Sequence, residues 1–311
     1  MQCESPRLFS AAVGAGLLAG IVAAPALAVP VTVFDDSFAD GDLAQTGALD
    51  TDWWTSSSSS ALEIAPGELG LVTGTSGRGI HTIFAPQVLD DVGDQLIVSY
   101  TFTTPDTVGN RSTGFRVGLF DSLGRAGLDD NVSSSSGSPS DLFGWGVASG
   151  GPGTQTLPGF MHDIDVNNGP DSDLNFREHT VNTVTGTGRL MSTTTGFSNI
   201  SPSGPDEGDF WAPNTTYNGT LTVQLISATE LAYTATINGI THSVVDDTID
   251  SNTFDMLAFH MNSRTFGSTN AQGEPDNGLD FSNISVTFDV PEPASAVLLG
   301  LGGLALLRRR A

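Results

Sequence analysis

Apolar and polar residues alternate along most of the chain in short runs, with a period near two rather than 3.6. Runs of this kind, bounded by Gly, Ser, Asn and Asp, predict β-strands and no convincing helix between residues 29 and 289. About a dozen strands do not fit one open sheet without curling, so we expect an all-β fold of two packed antiparallel sheets, a β-sandwich. The predicted strands are 62–73, 79–84, 95–104, 114–121, 142–149, 159–166, 188–194, 220–227, 231–237, 240–246, 254–262 and 279–290.

One turn has a clear sequence signal. Asn238 and Gly239 separate two alternating segments, 231–237 and 240–246. Both central residues of a type I′ turn need a positive φ, which Asn and Gly tolerate. We therefore expect a tight hairpin at this position.

The N-terminal segment has the pattern of a secretory signal. An uncharged apolar stretch at 8–24 is followed by Ala26 and Ala28, the small-x-small arrangement that signal peptidase cleaves. We expect a signal helix and a signal peptide spanning residues 1–28. The basic region before the apolar stretch is thin, which leaves an uncleaved N-terminal anchor as the alternative.

The chain is strongly acidic, with 35 Asp and Glu against 11 Lys and Arg and a net charge of −24. A protein of this sign repels phosphate backbones, so we expect no nucleic-acid partner. The one cysteine, Cys3, lies in the predicted signal peptide, so the mature chain would have neither thiol nor disulfide. Residues 29–289 are enough for one large domain.

The C-terminal segment, 290–311, combines a rigid start, an apolar run and a basic end. The uncharged run at 294–307 would form a helix of only about 21 Å, shorter than a hydrocarbon core of about 30 Å. Two prolines keep the residues before the run extended, and the terminal arginines stay on the cytoplasmic side. We expect a short apolar helix with transient membrane insertion, and an ordinary tail anchor is the alternative.

This C-terminal segment resembles the bacterial PEP-CTERM sorting signal. The resemblance implies a secreted protein of a Gram-negative-type bacterium, transiently anchored in the inner membrane, which an exosortase recognises and cleaves near the Pro-Glu-Pro. It also implies a place at the cell surface or in the extracellular matrix, with extracellular polysaccharide as a partner and a structural, adhesive or glycan-associated role. The matching residues are Pro291, Glu292, Pro293, Arg308, Arg309 and Arg310.

The body shows a second, looser resemblance. "TVFDDSFADGDLAQTGALDTDWW" at 32–54 and "GLDFSNISVTFDV" at 278–290 resemble the ends of concanavalin A-like lectin and laminarinase jelly rolls. The resemblance implies that the first and last strands pair. It also implies that Ile284, Val286 and Phe288 face the core.

Catalytic motifs are missing from the body. Laminarinase-type relatives carry Glu-x-Asp-x-x-Glu on one strand, and the nearest string here has only Asp163 and Asp165. The sequence contains no Gly-x-Ser-x-Gly elbow and no paired-histidine zinc motif, although His162 and His179 bracket an acidic loop and could meet in space. We expect a protein that is not an enzyme, and a glycan-active hydrolase or lyase is the alternative.

Calcium is the metal that the sequence favours. Four aspartates lie within eight residues near the start of the domain, and a hard cation takes several such oxygens. A fifth would come from the last strand, as in jelly-roll modules with a structural calcium. The alternative is an Asp/Gly turn whose carboxylates cap backbone N–H groups, and a second acidic stretch lies at 163–173. The candidate ligands are Asp35, Asp36, Asp40, Asp42 and Asp280.

A loop with aromatic and polar residues gives a candidate glycan-binding site. A tryptophan in a loop is more informative than one in an alternating strand, where core packing is expected. This pattern is the basis of a third functional hypothesis, a non-catalytic carbohydrate-binding module. The candidate residues are Trp211, Tyr217, Asp209 and Asn214.

Overall fold

The computed structural model describes most of the body of the chain. The described residues contain strands, turns and bends and no helix, and none of them forms a helix that could cross a membrane. The predicted signal peptide and C-terminal segment lie outside the described residues. The described residues are 30–55, 62–71, 77–109, 111–124, 157–166, 174–179, 191, 197–205, 211–262, 265–266 and 278–290.

Fifteen strands are described. They are β1 (Val31–Asp36), β2 (Trp54–Thr55), β3 (Leu62–Ala65), β4 (Glu68–Leu71), β5 (Arg78–Val88), β6 (Gln95–Thr103), β7 (Arg111–Phe120), β8 (Gly159–Val166), β9 (Leu174–His179), β10 (Phe197–Ile200), β11 (Thr216–Ser227), β12 (Glu230–Ile237), β13 (Ile240–Asp246), β14 (Thr253–Met261) and β15 (Leu279–Asp289).

These strands form two antiparallel sheets, which confirms the predicted β-sandwich class. The eight-stranded sheet has the order β13-β12-β11-β6-β15-β4-β3, and β1 also pairs with β15. The seven-stranded sheet has the order β10-β9-β8-β7-β14-β5-β2. Aromatic rings join the two sheets in the core, where Tyr100 of β6 meets Phe259 of β14 edge to face at 5.4 Å.

The first and last strands pair as the jelly-roll resemblance implies. In the β1–β15 register Phe34 lies opposite Val286 and Asp36 opposite Ile284. Ile284 and Val286 are fully buried, and Phe288 is partly buried against the same core. Alternation along β15 therefore directs these side chains inward.

The Asn-Gly hairpin is confirmed. Asn238 and Gly239 have φ values of 48° and 81° between β12 and β13. Another glycine is required by packing rather than by its backbone: a Cβ at Gly219 would lie 2.1 Å from the ring of Tyr100. The inward-facing Gly219 of β11 thus makes room for a buried aromatic side chain in the neighbouring strand.

The structure differs from the strand prediction in places. The segment 62–73 was expected to be one strand, but it is a hairpin of β3 and β4, because Pro66-Gly67 forms a turn with Gly67 at φ 94°. Strands β2, β9 and β10 were not predicted, and β1 was expected only from the jelly-roll resemblance. The segment 142–149 lies outside the described residues, and of 188–194 only Met191 is described, in a turn.

The two sheets differ in their outer faces. Strand β6 alternates strictly between buried and partly exposed residues, as expected for a sheet with one face in water. Strands β8 and β14 are buried on both faces. A second hydrophobic cluster lies on the outer face of the seven-stranded sheet, formed by Phe120, Leu157, Met161, Met191, Met256 and Ala258.

Candidate functional site

The outer face of the seven-stranded sheet contains a buried ion network centred on Asp163. Asp163 of β8 lies directly opposite Arg116 of β7, and its Oδ1 accepts a hydrogen bond from Arg116 Nε at 2.9 Å. Its Oδ2 accepts one from Arg177 Nε of β9 at 2.7 Å. Arg116 Nη1 donates to the carbonyl of Met191, and Arg177 Nη1 donates to Asn199 Oδ1. The network therefore ties four strands, β7 to β10, and a turn together.

The network is almost dry. The side chain of Asp163 has no exposed surface, and those of Arg116 and Arg177 are 2% and 15% exposed. Two guanidinium groups share one carboxylate, so these three groups together carry one net positive charge in a chain that is strongly acidic overall. His260 lies on the next strand, and burial followed by the charge of Arg116 holds its pKa well below the usual range.

This arrangement bears on the enzyme alternative. Glycoside hydrolysis needs two carboxyl groups, one of them free to attack the sugar or to activate water. Asp163 and Asp165 project from the same face of β8, but both oxygens of Asp163 already accept hydrogen bonds from arginines. A carboxylate held in this way is fixed in position, because each of its oxygens accepts a charge-assisted hydrogen bond from an arginine.

The predicted calcium segment forms a network of hydrogen-bonded turns. Asp36 is buried, and its two oxygens accept hydrogen bonds from the Phe38 N–H and from Trp53 Nε1, both at 2.7 Å. Burial raises the pKa of Asp36 to about 6, although these two hydrogen bonds act in the opposite direction. Asp40 accepts from the Asp42 N–H at 3.2 Å, and Asp42 accepts from the Ala44 N–H at 2.6 Å.

This geometry corresponds to the Asp/Gly turn alternative. The segment is tied to the last strand by Asn283 Nδ2, which donates to Asp35 Oδ1 at 2.8 Å. Asp36 lies opposite Ile284 of β15. Asp280 is four residues further along that strand, which at roughly 3.3 Å per residue places its backbone about 13 Å from that of Ile284. Within the described part of the chain, no three His, Cys, Asp or Glu side chains are grouped to hold a metal ion.

The prediction that Trp211 and Tyr217 belong to a glycan-binding loop is wrong, because both side chains are buried. Trp211 is 5% exposed and Tyr217 is 2% exposed, and both pack in the main core against Phe102 at 6.1 and 5.7 Å. Trp211 Nε1 donates to the Asp165 carbonyl at 3.3 Å, and the Tyr217 hydroxyl accepts from the Ala212 N–H at 2.7 Å. Core packing between the sheets has outweighed the loop position, so neither ring is available to stack on a sugar.

Of the two polar members of that loop, only Asn214 is among the described residues. Asn214 is exposed and has a φ of 49° in a turn. Its backbone N–H donates to the Pro105 carbonyl at 3.1 Å. Asp209 lies outside the described residues. Trp211 and Tyr217 are buried while Asn214 is exposed, so the described residues do not bring an aromatic platform together with Asn214.

All five histidines of the chain are buried. His162 and His179 do not meet, because the β8–β9 register and the side-chain alternation point them to opposite faces of the sheet. His162 instead faces His242 of the other sheet across the core, with ring centroids 5.8 Å apart. Burial, with a contribution from His242, lowers the pKa of His162 to about 3.

Sequence reasoning also missed an acidic cluster at one end of the core. Burial, followed by the charges of Asp246 and Asp250, raises the pKa of Glu178 to about 8. Tyr233 donates a hydrogen bond to Asp246 Oδ2 at 3.3 Å. These residues come from β9, β12, β13 and the loop after β13, so no local sequence motif predicts the cluster. The alternation within β9 would have placed Glu178 on the inward face had that strand been recognised.

Solved structures with a similar fold include lectins and a glucanase. The carbohydrate recognition domain of Emp46p in its potassium-bound form has a TM-score of 0.46 and 9% identity over 82% of this chain and 95% of its own. The endo-1,3-beta-glucanase of Streptomyces sioyaensis has a TM-score of 0.43 and 15% identity over 86% and 100%. The Lotus tetragonolobus seed lectin has a TM-score of 0.42 and 12% identity over 85% and 100%.

Comparison by sequence identifies one segment of the chain. The comparison with curated proteins found no match to the chain. Residues 289–311, which contain Pro291, Glu292 and Pro293, match the family described as the PEP-CTERM protein-sorting motif. This motif indicates export, exosortase processing and sorting to the cell surface in Gram-negative bacteria. The chain therefore carries a PEP-CTERM protein-sorting motif at its C-terminal end.

Proposed function

We propose that the protein is a non-catalytic component of the cell surface or extracellular matrix, released there by an exosortase. The observation that supports the proposal is the sorting motif at residues 289–311. Signal peptidase would remove residues 1–28 after Ala28, and the exosortase would cleave near Pro291-Glu292-Pro293. The sandwich would then work outside the cell in a structural, adhesive or glycan-associated role.

The physical character of the tail supports temporary anchoring. An apolar run of about 21 Å spans a bilayer of about 30 Å only under strain, so the arginines that follow would hold it during processing. Proline fixes φ and has no N–H, so the sequence Pro-Glu-Pro favours an extended segment that would present Glu292 to the enzyme at the membrane surface. A segment with these properties suits recognition and release better than permanent residence.

Absence of catalysis is the second element of the proposal. Asp163 lies on the outer face of the seven-stranded sheet and belongs to the string nearest to the laminarinase catalytic motif. It forms ion pairs with Arg116 and Arg177. A nucleophile or general acid needs a lone pair or a proton directed at substrate, whereas both oxygens here are directed at guanidinium groups. The arrangement supports a scaffold in which the ion network has a structural role.

Replacement of Pro291, Glu292 and Pro293 by alanine tests the sorting step. We expect the variant to accumulate as an uncleaved, membrane-retained precursor, whereas Ser295→Ala, one of the few polar positions in the same segment, matures normally. Fractionation of host cells followed by immunoblotting distinguishes the two forms. Normal cleavage and release of the triple variant would overturn the proposal.

A further inference from the structure

Hydroxyl side chains form a regular array on the outer face of the eight-stranded sheet. Each of the neighbouring strands β11, β12 and β13 has two hydroxyl residues separated by one inward-facing residue. The register aligns them in two rows that run across the strands. We call this array the hydroxyl face: Thr220, Thr222, Thr234, Thr236, Thr241 and Ser243.

The rows continue onto two further strands. Thr220 lies opposite Ser99 of β6, and Ser99 lies opposite Ser285 of β15. Thr222 lies opposite Ile97, which in turn lies opposite Thr287. All of these side chains are exposed or partly exposed. The face is thus five strands wide and faces outward.

The hydroxyl groups are ordered and keep unused hydrogen-bonding capacity. Thr234 Oγ1 lies 2.9 Å from Ser243 Oγ, and Thr236 Oγ1 lies 2.9 Å from Thr241 Oγ1. A hydroxyl has one donor and two acceptor sites, so a bonded pair uses one donor and one acceptor and retains the others. The pairing fixes the side chains and leaves groups that can bind a ligand rich in hydroxyls.

Charge is excluded from the centre of this face. The outward positions of β6 (95, 97, 99, 101 and 103) and β11 (216, 218, 220, 222 and 224), and positions 232, 234 and 236 of β12, contain no Asp, Glu or Arg, whereas the outward residues Glu230 of β12 and Asp289 of β15 lie toward one end of the face. The charged fraction of this chain is 15%, at which about two of these 13 positions would be charged. The chain has a net charge of −24, so its acidic residues lie elsewhere.

We propose that the hydroxyl face docks an extended, uncharged polysaccharide that lies across the strands. A neutral, hydroxyl-lined surface complements a neutral, hydroxylated polymer, whereas an anionic polymer would meet the repulsion of the surrounding carboxylates. Neighbouring strands are about 4.8 Å apart, close to the repeat of one sugar ring in an extended pyranose chain. Each strand then presents its hydroxyl groups to one ring. This inference rests on the proposed surface role and names the ligand class.

The geometry also predicts how binding depends on chain length. The central face has no aromatic ring for a sugar to stack on, so each ring is held only by hydrogen bonds exchanged with water, and its contribution is small. Contacts in successive strands add within one polymer chain, because later contacts form at high effective concentration. Long neutral chains should bind, and short fragments of the same polymer should compete poorly.

The test is retardation of the mature protein, purified from host culture, in native gels containing a soluble, neutral β-glucan. The same gels with a polyuronate provide the anionic comparison. We expect retardation by the neutral polymer, at least tenfold weaker binding for Thr222→Asp and no change for Thr229→Asp, which adds the same charge in the exposed turn between β11 and β12. The pair Thr220→Val and Thr222→Val removes hydroxyls without adding charge and should weaken binding as well.

Three results would overturn the inference. They are no retardation of the unsubstituted protein, equal retardation of Thr222→Asp and Thr229→Asp, or a concentration-dependent dimer that Thr222→Asp abolishes, which would make the face an interface between copies. Circular dichroism of every variant confirms that it is folded. Retardation is measured on purified protein, so its failure would leave export and exosortase processing intact, and a defect in processing would leave retardation unchanged.

Discussion

Replacement of His162 by Phe should change how stability depends on pH. His162 is fully buried, and neither ring nitrogen has a hydrogen-bond partner within the described part of the chain. Its ring lies 4.7 Å from that of Phe176 and 5.8 Å from that of His242. A phenylalanine fits this aromatic cluster and cannot accept a proton.

The magnitude follows from the difference in pKa between the two states. The pKa of His162 is about 3 in the fold and 6.5 in the unfolded chain. The unfolded state therefore binds more protons below pH 6.5, and the stability that neutral His162 contributes is lost progressively as the pH falls from about 6.5 to about 3. At pH 5 the loss is about 2 kcal/mol, or about 4–8 °C in melting temperature for a domain of this size.

The assay is urea denaturation of the wild type and of His162→Phe at pH 7 and pH 5. We expect the variant to gain about 2 kcal/mol relative to the wild type between the two pH values. Phe176→Leu is the matched control, because it disturbs the same cluster without removing a titrating group, and its effect should be equal at both pH values. A stability difference for His162→Phe that does not change with pH would refute the reasoning.

Three further predictions test other parts of the account. Glu178→Gln should raise the melting temperature increasingly as the pH rises from about 4.5 to about 8, because the elevated pKa of Glu178 makes ionisation costly in the fold; a constant difference would contradict this. Asp163→Asn should lower the free energy of unfolding by about 3–5 kcal/mol, since two buried guanidinium groups lose their counter-charge, and a loss below about 1 kcal/mol in urea would contradict it. A calcium chelator should leave the melting curve unchanged if Asp36 serves as a turn cap, whereas a lowered melting temperature that Asp36→Ala abolishes would restore the calcium site.

Local alternation predicted strands most accurately where turn residues marked the ends of the alternating run. Strands β12 and β13 alternate cleanly on either side of the Asn-Gly turn, so their positions and their pairing as a hairpin followed from period and turn chemistry. The segment 62–73 was misassigned because its apolar residues continue across Pro66-Gly67, and the turn divides them into two strands. Strand β9 is short and contains charged residues, which hid it from the same criterion.

The site predictions depended on contacts that the sequence does not encode locally. Trp211 was assigned to a glycan-binding loop because it has polar neighbours in sequence, yet Phe102 from a distant strand provides the ring on which it packs. The Asp36 carboxylate was assigned to calcium because only its neighbours in sequence were visible, and its partner Trp53 is 17 residues away. Tertiary packing determined which polar and aromatic groups remained exposed in both cases.

Mass spectrometry of the intact mature protein from its host tests the central claim most directly. Export and exosortase processing predict an N-terminus after Ala28 and a C-terminus near Pro291-Glu292-Pro293, with the apolar run and the three arginines removed. A mature chain that still ends at Ala311 would contradict the account.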